Sequence, residues 1–351
     1  MQQALAVGIM SGTSLDGLDF VLVRFTFKNK WNFGILKSTT IGYNNVWVDK
    51  LSKAYKLDGY ELLELHKNYG RYIGNHVNDF LTNIPEPVDF IASHGHTVFH
   101  RPDKGITLQI GDGQEIATKT NITTICDFRT KDVTLGGQGA PLVPIGDKLL
   151  FSDYDYCINI GGFANISFNS YDNNRVAYDI CPANIILNHL SNSIGHAYDK
   201  NGEISSKGNL NQQLFNELNS ISYYQKPYPK SLGREWLESS FLPILNKYSI
   251  PAEDKLNTVS RHIAFQISRS INNKKGRVLV TGGGAYNTFI LDLIKQSSDN
   301  QVDIPGKTII EYKEAIIFAF LGLLRLTNEP NCLASVTGAG RDSSGGVVFM
   351  P

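Results

Sequence analysis

Cysteine is scarce in this 351-residue chain: Cys126, Cys157, Cys181 and Cys332 are the only four, and none shows C-x-x-C spacing. That spacing excludes a disulfide framework and a sequence-local zinc site. In a reducing compartment all four are expected to be free thiols. An excess of one charge is lacking too. Lys plus Arg and Asp plus Glu both number 33, giving a formal charge of zero. Such a balance supplies no general attraction to nucleic acid or to an anionic membrane. No stretch approaches the roughly 20 apolar residues that span a bilayer. The opening MQQALAVGIMSGTS has neither the basic region nor the apolar run of a signal peptide, so a cytoplasmic location is expected. No G-x-x-x-x-G-K-[ST] run occurs, which excludes a P-loop.

What is present is the composition of a globular protein, 42% hydrophobic and 19% charged, in a chain long enough for two domains. Apolar β-type runs fit strands at residues 4–10, 18–27, 88–92, 122–126, 156–160, 163–168 and 277–281. Helical periodicity fits residues 61–81, 210–218, 256–272 and 314–326, with another helix from about Tyr286. The alternation implies α/β architecture. A strand, a glycine turn and a second strand occupy residues 4–27, and the same unit recurs at residues 156–168. A period of about 150 residues is domain-sized rather than a solenoid repeat. Two similarly built halves are expected, each offering a glycine hairpin to a shared cleft, a favoured place for a ligand.

The first hairpin turn reads Gly12-Thr13-Ser14-Leu15-Asp16-Gly17-Leu18-Asp19. Successive backbone N–H groups in such a turn form an anion-binding nest, and glycine permits close approach. Ser11, Thr13 and Ser14 add hydroxyls. Asp16 and Asp19 repel phosphate but suit Mg²⁺, a hard cation that takes carboxylate, water and phosphate oxygens. The second turn carries Gly161 and Gly162. The third, Gly282-Gly283-Gly284-Ala285-Tyr286-Asn287, lies between a strand and a helix, where N–H groups favour anions. It is not G-x-G-x-x-G, which weakens a dinucleotide reading. Any one of these loops is as readily a structural turn. Three together point to a nucleotide held between two lobes.

The run Gly8-Ile9-Met10-Ser11-Gly12-Thr13-Ser14-Leu15-Asp16-Gly17-Leu18-Asp19 resembles the opening signature of anhydro-N-acetylmuramic acid kinases. The resemblance continues through Ser93-His94-Gly95-His96-Thr97, Asp127-Phe128-Arg129, the stretch 136–144, Asn159-Ile160-Gly161-Gly162, the stretch 230–235, Gly282-Gly283-Gly284, the stretch 314–319 and Val336-Thr337-Gly338-Ala339. It implies the two-lobed actin-like ATPase/hexokinase fold, built from duplicated ribonuclease H-like domains. The lobes are expected at residues 1–135 plus 337–351 and at residues 136–336. ATP and Mg²⁺ are the implied cofactors, an anhydro amino sugar the implied substrate, and a homodimer the implied assembly. The implied reaction takes ATP, water and 1,6-anhydro-N-acetylmuramic acid to N-acetylmuramate 6-phosphate in peptidoglycan recycling.

The resemblance also assigns residues. The family's catalytic base is the Asp of Asp-Thr-Gly-Pro-Gly-Asn. Here the run is Asp179-Ile180-Cys181-Pro182-Ala183-Asn184, which keeps Asp179, Pro182 and Asn184 and replaces the Thr and both glycines. A positive φ at Cys181 would cost about 1 kcal/mol or more. Taken alone, Asp179 reads as a loop or helix-cap aspartate. Arg129 matches the arginine expected at the sugar, where its fork suits the lactyl carboxylate; an ion pair with Asp127 or Asp132 is the other reading. Glu314 opens the 314–326 helix and matches a glutamate facing the sugar, or else answers the helix dipole. His94, and less so His96, would bond sugar hydroxyls, with Asn184 also on the substrate side. Lys230 and Arg234 fit either a phosphate contact or a solvated basic loop. Two other functions stay open: a same-fold kinase for another amino sugar, supported by the altered 179–184 run, and a non-enzymatic actin- or chaperone-like ATP-binding module.

Overall fold

Strand β1 (Gln3–Ser11) and strand β2 (Gly17–Lys28) are buried along most of their length rather than on alternate residues. Such continuous burial marks strands covered on both faces. The computed structural model describes residues 3–12, 15–272 and 274–351. The chain divides into two units, Met1–Leu150 with Tyr312–Pro351, and Phe151–Glu311.

In the first unit β1 and β2 continue into β3 (Lys30–Gly42) as an antiparallel meander. Strand β4 (Phe90–Ser93) joins β1 in parallel; β5 (His96–Arg101) and β6 (Ile106–Ile110) form a separate hairpin; β7 (Thr124–Cys126) joins β4 in parallel. The second unit holds β8 (Tyr156–Ile160), β9 (Phe163–Asn169) and β10 (Arg175–Pro182) as an antiparallel meander. There β11 (Arg277–Thr281) runs parallel to β8, and β12 (Gln301–Asp303) parallel to β11. The last strand, β13 (Val347–Phe349), returns to the first unit beside β7.

The two sheets therefore read β3-β2-β1-β4-β7-β13 and β10-β9-β8-β11-β12. Apart from β13 they share one order and one set of strand senses. This is the ribonuclease H-like arrangement in duplicate, and it bears out the repeat seen between residues 4–27 and 156–168.

Local chemistry explains the elements. The helix Gly59–Leu81 starts at a capping box, with Asp58 and Glu61 satisfying each other's backbone N–H groups. Its Leu65, Tyr69, Ile73, Val77 and Phe80 form one apolar stripe, packed with Val7, Ile9, Phe20 and Leu22 of the sheet. The helix Lys307–Leu326 lies against β1, where only glycine fits: a Cβ on Gly8 would sit 2.0 Å from the Ala315 carbonyl oxygen. Among the described residues no helix is long and apolar enough to cross a membrane.

Two sequence expectations need adjusting. The units meet in sequence at Leu150 and Tyr312, whereas the lobes were expected at residues 1–135 plus 337–351 and 136–336. The helix Val143–Leu150 stays with the first unit because its Asp147 pairs with Lys313 at 2.7 Å, both side chains almost wholly buried. The helix expected at 314–326 begins at Lys307, so Glu314 sits about two turns inside it. The macrodipole account of that charge therefore fails, since the effect is confined to the terminal turns.

Candidate active site

In the first unit the β1–β2 turn retains Gly12, Leu15, Asp16 and Gly17 as described residues; Thr13 and Ser14 lie outside them. Ser11 is not a free hydroxyl. It is buried and bonded to the Tyr43 hydroxyl at 2.8 Å, to Tyr69 at 3.0 Å and to His96 Nδ1 at 3.3 Å. This network anchors the end of β1 and draws His96 into the core. Leu15 takes a positive φ of 61° and packs on the core, where Leu18 is fully buried. Leu18 thus holds the turn through its side chain. Asp16 is exposed, and Asp19 on β2 accepts the Thr40 hydroxyl at 2.6 Å. Among the described residues no group of three or more metal-ligating side chains gathers to hold an ion.

His94, expected on sugar hydroxyls, follows β4 and is buried. Its Nδ1 lies 2.8 Å from the Gly95 carbonyl oxygen and must therefore carry the proton. Nε2 then accepts from Arg129, 3.1 Å from Nε and 2.7 Å from Nη2. Burial, with the Arg129 charge beside it, holds the His94 pKa down at about 3. Arg129 also donates Nη1–H to the Gly139 carbonyl at 2.6 Å. No carboxylate pairs with it among the described residues, so the structural ion pair with Asp127 or Asp132 is not formed. Asp132 serves the same loop differently: buried, it accepts the Gly139 N–H at 2.8 Å and the Thr337 hydroxyl at 2.8 Å.

Glu314 reaches solvent although protein surrounds it densely. That surrounding raises its pKa, against the pull of Lys313 and Arg129 and with a push from Asp19 and Asp147. The first unit thus gathers His94, Arg129, Asp19 and Glu314 into one electrostatically coupled neighbourhood. Lys313 and Asp147 belong to it and were not foreseen. A Lys-Glu pair directly before the apolar run 315–324 was the available signal.

In the second unit Asp179 lies within β10, neither in a loop nor at a helix cap. The β9–β10 register shifts between Asp179 and Cys181, leaving Ile180 as an extra residue. Bulges re-aim side chains, and this one separates Asp179 from the buried Ile180 and Cys181. Asp179 Oδ2 accepts the Leu232 N–H at 2.9 Å, and the Tyr223 hydroxyl donates to the Asp179 carbonyl at 2.6 Å. Burial raises its pKa, partly offset by that Leu232 bond. Lys230, distant in sequence, accepts the Asp179 N–H through its backbone carbonyl at 3.3 Å, and its ammonium lies over the Tyr223 ring; Arg234 is exposed and pairs with Glu238. Neither residue at the altered glycine positions takes a positive φ: Cys181 is in the strand and Ala183 has φ −129°. The strain anticipated at Cys181 does not arise.

After β10 the chain docks on the second glycine turn. Ala183 and Ile185 donate to the Gly162 carbonyl, Asn184 N–H to Gly161, and Asn184 Nδ2 to the Ile160 carbonyl at 3.1 Å. The third turn needs its glycines: Gly282 has φ 81°, and a Cβ there would sit 2.4 Å from Asn159 Oδ1. Asn287 Oδ1 caps the helix Thr288–Gln296 through the Ile290 N–H at 3.1 Å. Asn184, Gly283 and Asn287 line a cavity of about 500 Å³, joined by Tyr198, Lys200 and Tyr286. That volume falls in the range of small-molecule sites. Tyr198 and Lys200 were not foreseen, because they sit on a loop with no motif of its own.

Duplicated ribonuclease H-like units define the class of actin-like ATPases and hexokinases. The family described as anhydro-N-acetylmuramic acid kinase matches residues 4–351. A protein of that name from Saccharophagus degradans is 33% identical, aligned over 100% of both chains. Those from Haemophilus influenzae and Photobacterium profundum are 34% and 36% identical, covering 99% and 98% of this chain and 98% of each relative. The chain belongs to the anhydro-N-acetylmuramic acid kinase family.

Proposed function

We propose that this chain is an ATP-dependent kinase that opens 1,6-anhydro-N-acetylmuramic acid with water and phosphorylates O6, giving N-acetylmuramate 6-phosphate and ADP. The observation that carries the reading is Asp179: a half-buried carboxylate beside a strand bulge, at the position of the family's base, with a raised pKa and one backbone donor. A base of that kind takes a proton from water as the water's oxygen bonds to C1. The C1–O6 bond breaks, O6 bonds to the γ-phosphorus, and ADP departs.

The other residues fit supporting roles. The 500 Å³ cavity beside Gly283 takes the nucleoside, with Tyr286 and Tyr198 as apolar walls and Asn184, Asn188 and Asn287 as polar groups. Gly161 and Gly162 lie next to it through Asn184. In the first unit, Gly12, Leu15, Asp16 and Gly17 would offer backbone N–H groups to phosphate. Arg129 faces the lactyl carboxylate and Glu314 the sugar. Asp16, exposed at the turn, and Asp19 on β2 offer the carboxylate oxygens that Mg²⁺ takes. Bound there, Mg²⁺ would neutralise charge on the phosphates. A cytoplasmic homodimer, acting in peptidoglycan recycling, is part of the proposal.

The test is a coupled assay of ADP release. Release that depends on the anhydro sugar is expected. Turnover of another amino sugar, with none of this one, would reject the assignment.

A further inference from the structure

Arginine has five N–H groups. In Arg129 the Nε–H and one Nη2–H converge on His94 Nε2, and one Nη1–H goes to the Gly139 carbonyl. One N–H remains on each terminal nitrogen, the pair that a carboxylate bridges. The two holds on Arg129 are themselves fixed. Gly139 is tied to the buried Asp132, which also accepts from Thr337 Oγ1 and from Cys332 Sγ at 3.0 Å. His94 is tied to the Gly95 carbonyl through Nδ1 and packs on Phe318 with ring centroids 4.7 Å apart.

We infer that His94 is a positioning residue: it acts through Arg129, presenting only the Nη1–Nη2 edge of the guanidinium to the carboxylate of the sugar. The inference rests on the proposed substrate. It replaces the direct sugar contact expected of His94, since both ring nitrogens are engaged within the protein. A neutral ring suits the role, because an imidazolium would repel the guanidinium and offer no lone pair. The inference also names what selects muramic over glucosamine sugars, the lactyl carboxylate being the only group that a two-pronged donor would read bidentately.

The experiment measures equilibrium binding of 1,6-anhydro-N-acetylmuramic acid and of 1,6-anhydro-N-acetylglucosamine, which lacks the carboxylate. Wild type, His94→Leu and His94→Gln are compared, with ATP-analogue binding as the check on folding. His94→Leu removes the acceptor and is expected to weaken the muramic sugar by roughly 10-fold or more, the scale of a hydrogen bond to a charged group. The glucosamine sugar and the nucleotide should change little, and His94→Gln, which keeps an acceptor oxygen, should recover most of the loss. Equal loss for both sugars, or none for either, overturns the inference. Wild type that binds neither sugar instead rejects the substrate. Ring ¹⁵N resonances test the geometry without any sugar. His94 should show a protonated Nδ1 and a bare Nε2, unchanged from about pH 8 to about pH 5, whereas titration near the ordinary histidine value of roughly 6.5 overturns the arrangement.

Discussion

The Asp179 carboxylate accepts the Leu232 backbone N–H at 2.9 Å from a strand bulge that turns it away from Ile180 and Cys181. A single donor steadies the ionised form, while burial works against it. That balance suits a carboxylate that must both exist as a base and bind a proton during turnover.

Asp179→Asn keeps the shape of the side chain and removes the base. Turnover should fall by about 10²-fold or more, the usual range for a lost general base. Binding of an ATP analogue, measured by calorimetry, should be unchanged. Near-wild-type turnover would remove Asp179 from the role.

The raised pKa of Asp179 shifts the acid limb of the rate profile. The active form is ionised, so kcat/KM should decline as pH falls through a value above that of an ordinary aspartate. A profile of kcat/KM against pH checks this, and a limb at or below the ordinary aspartate value would contradict it.

Stability should also depend on pH through buried histidines. His94 and His262 are both held neutral, with pKa values near about 3. Their depressed values mean the unfolded chain binds protons that the folded chain does not. Stability is therefore full above about pH 6.5 and falls as pH drops toward 3, by up to about 1.4 kcal/mol per pH unit for each histidine. Denaturant midpoints across that window should show the slope. His262→Gln should make it shallower, and an unchanged slope would count against the assignment.

Gly282→Ala places a Cβ against Asn159 Oδ1 and the Ile160 carbonyl at a positive φ. A loss of about 1–3 kcal/mol is expected, with weaker nucleotide binding. Cys181→Gly should behave oppositely to a repair. The thiol is fully buried in the core and unstrained, so restoring glycine should lower stability by roughly 1 kcal/mol without raising turnover.

Much of this was legible in sequence. The strands at 156–160 and 277–281 coincide with β8 and β11, and the repeated hairpin gave away the duplication. Strand β3 was missed because its 13 residues carry polar Lys, Asn, Ser and Thr on a half-exposed edge. Strand β10 was missed because it ends in Pro182 and is broken by a bulge. The glycine turns carry a local signal, whereas Asp179 is legible only through the family resemblance. The pairing of His94 with Arg129 is not legible, since 35 positions separate them and only the fold joins them. The bonds that tie Ser11 to Tyr43, Tyr69 and His96 are invisible in the sequence for the same reason.

The account turns on water opening the anhydro bridge while ATP phosphorylates the oxygen it releases. Mass measurement of the sugar product formed in heavy-oxygen water tests it most directly. One phosphoryl group and one solvent oxygen at C1 are predicted. A product carrying the phosphoryl without solvent oxygen, or no product beyond ADP, would contradict the account.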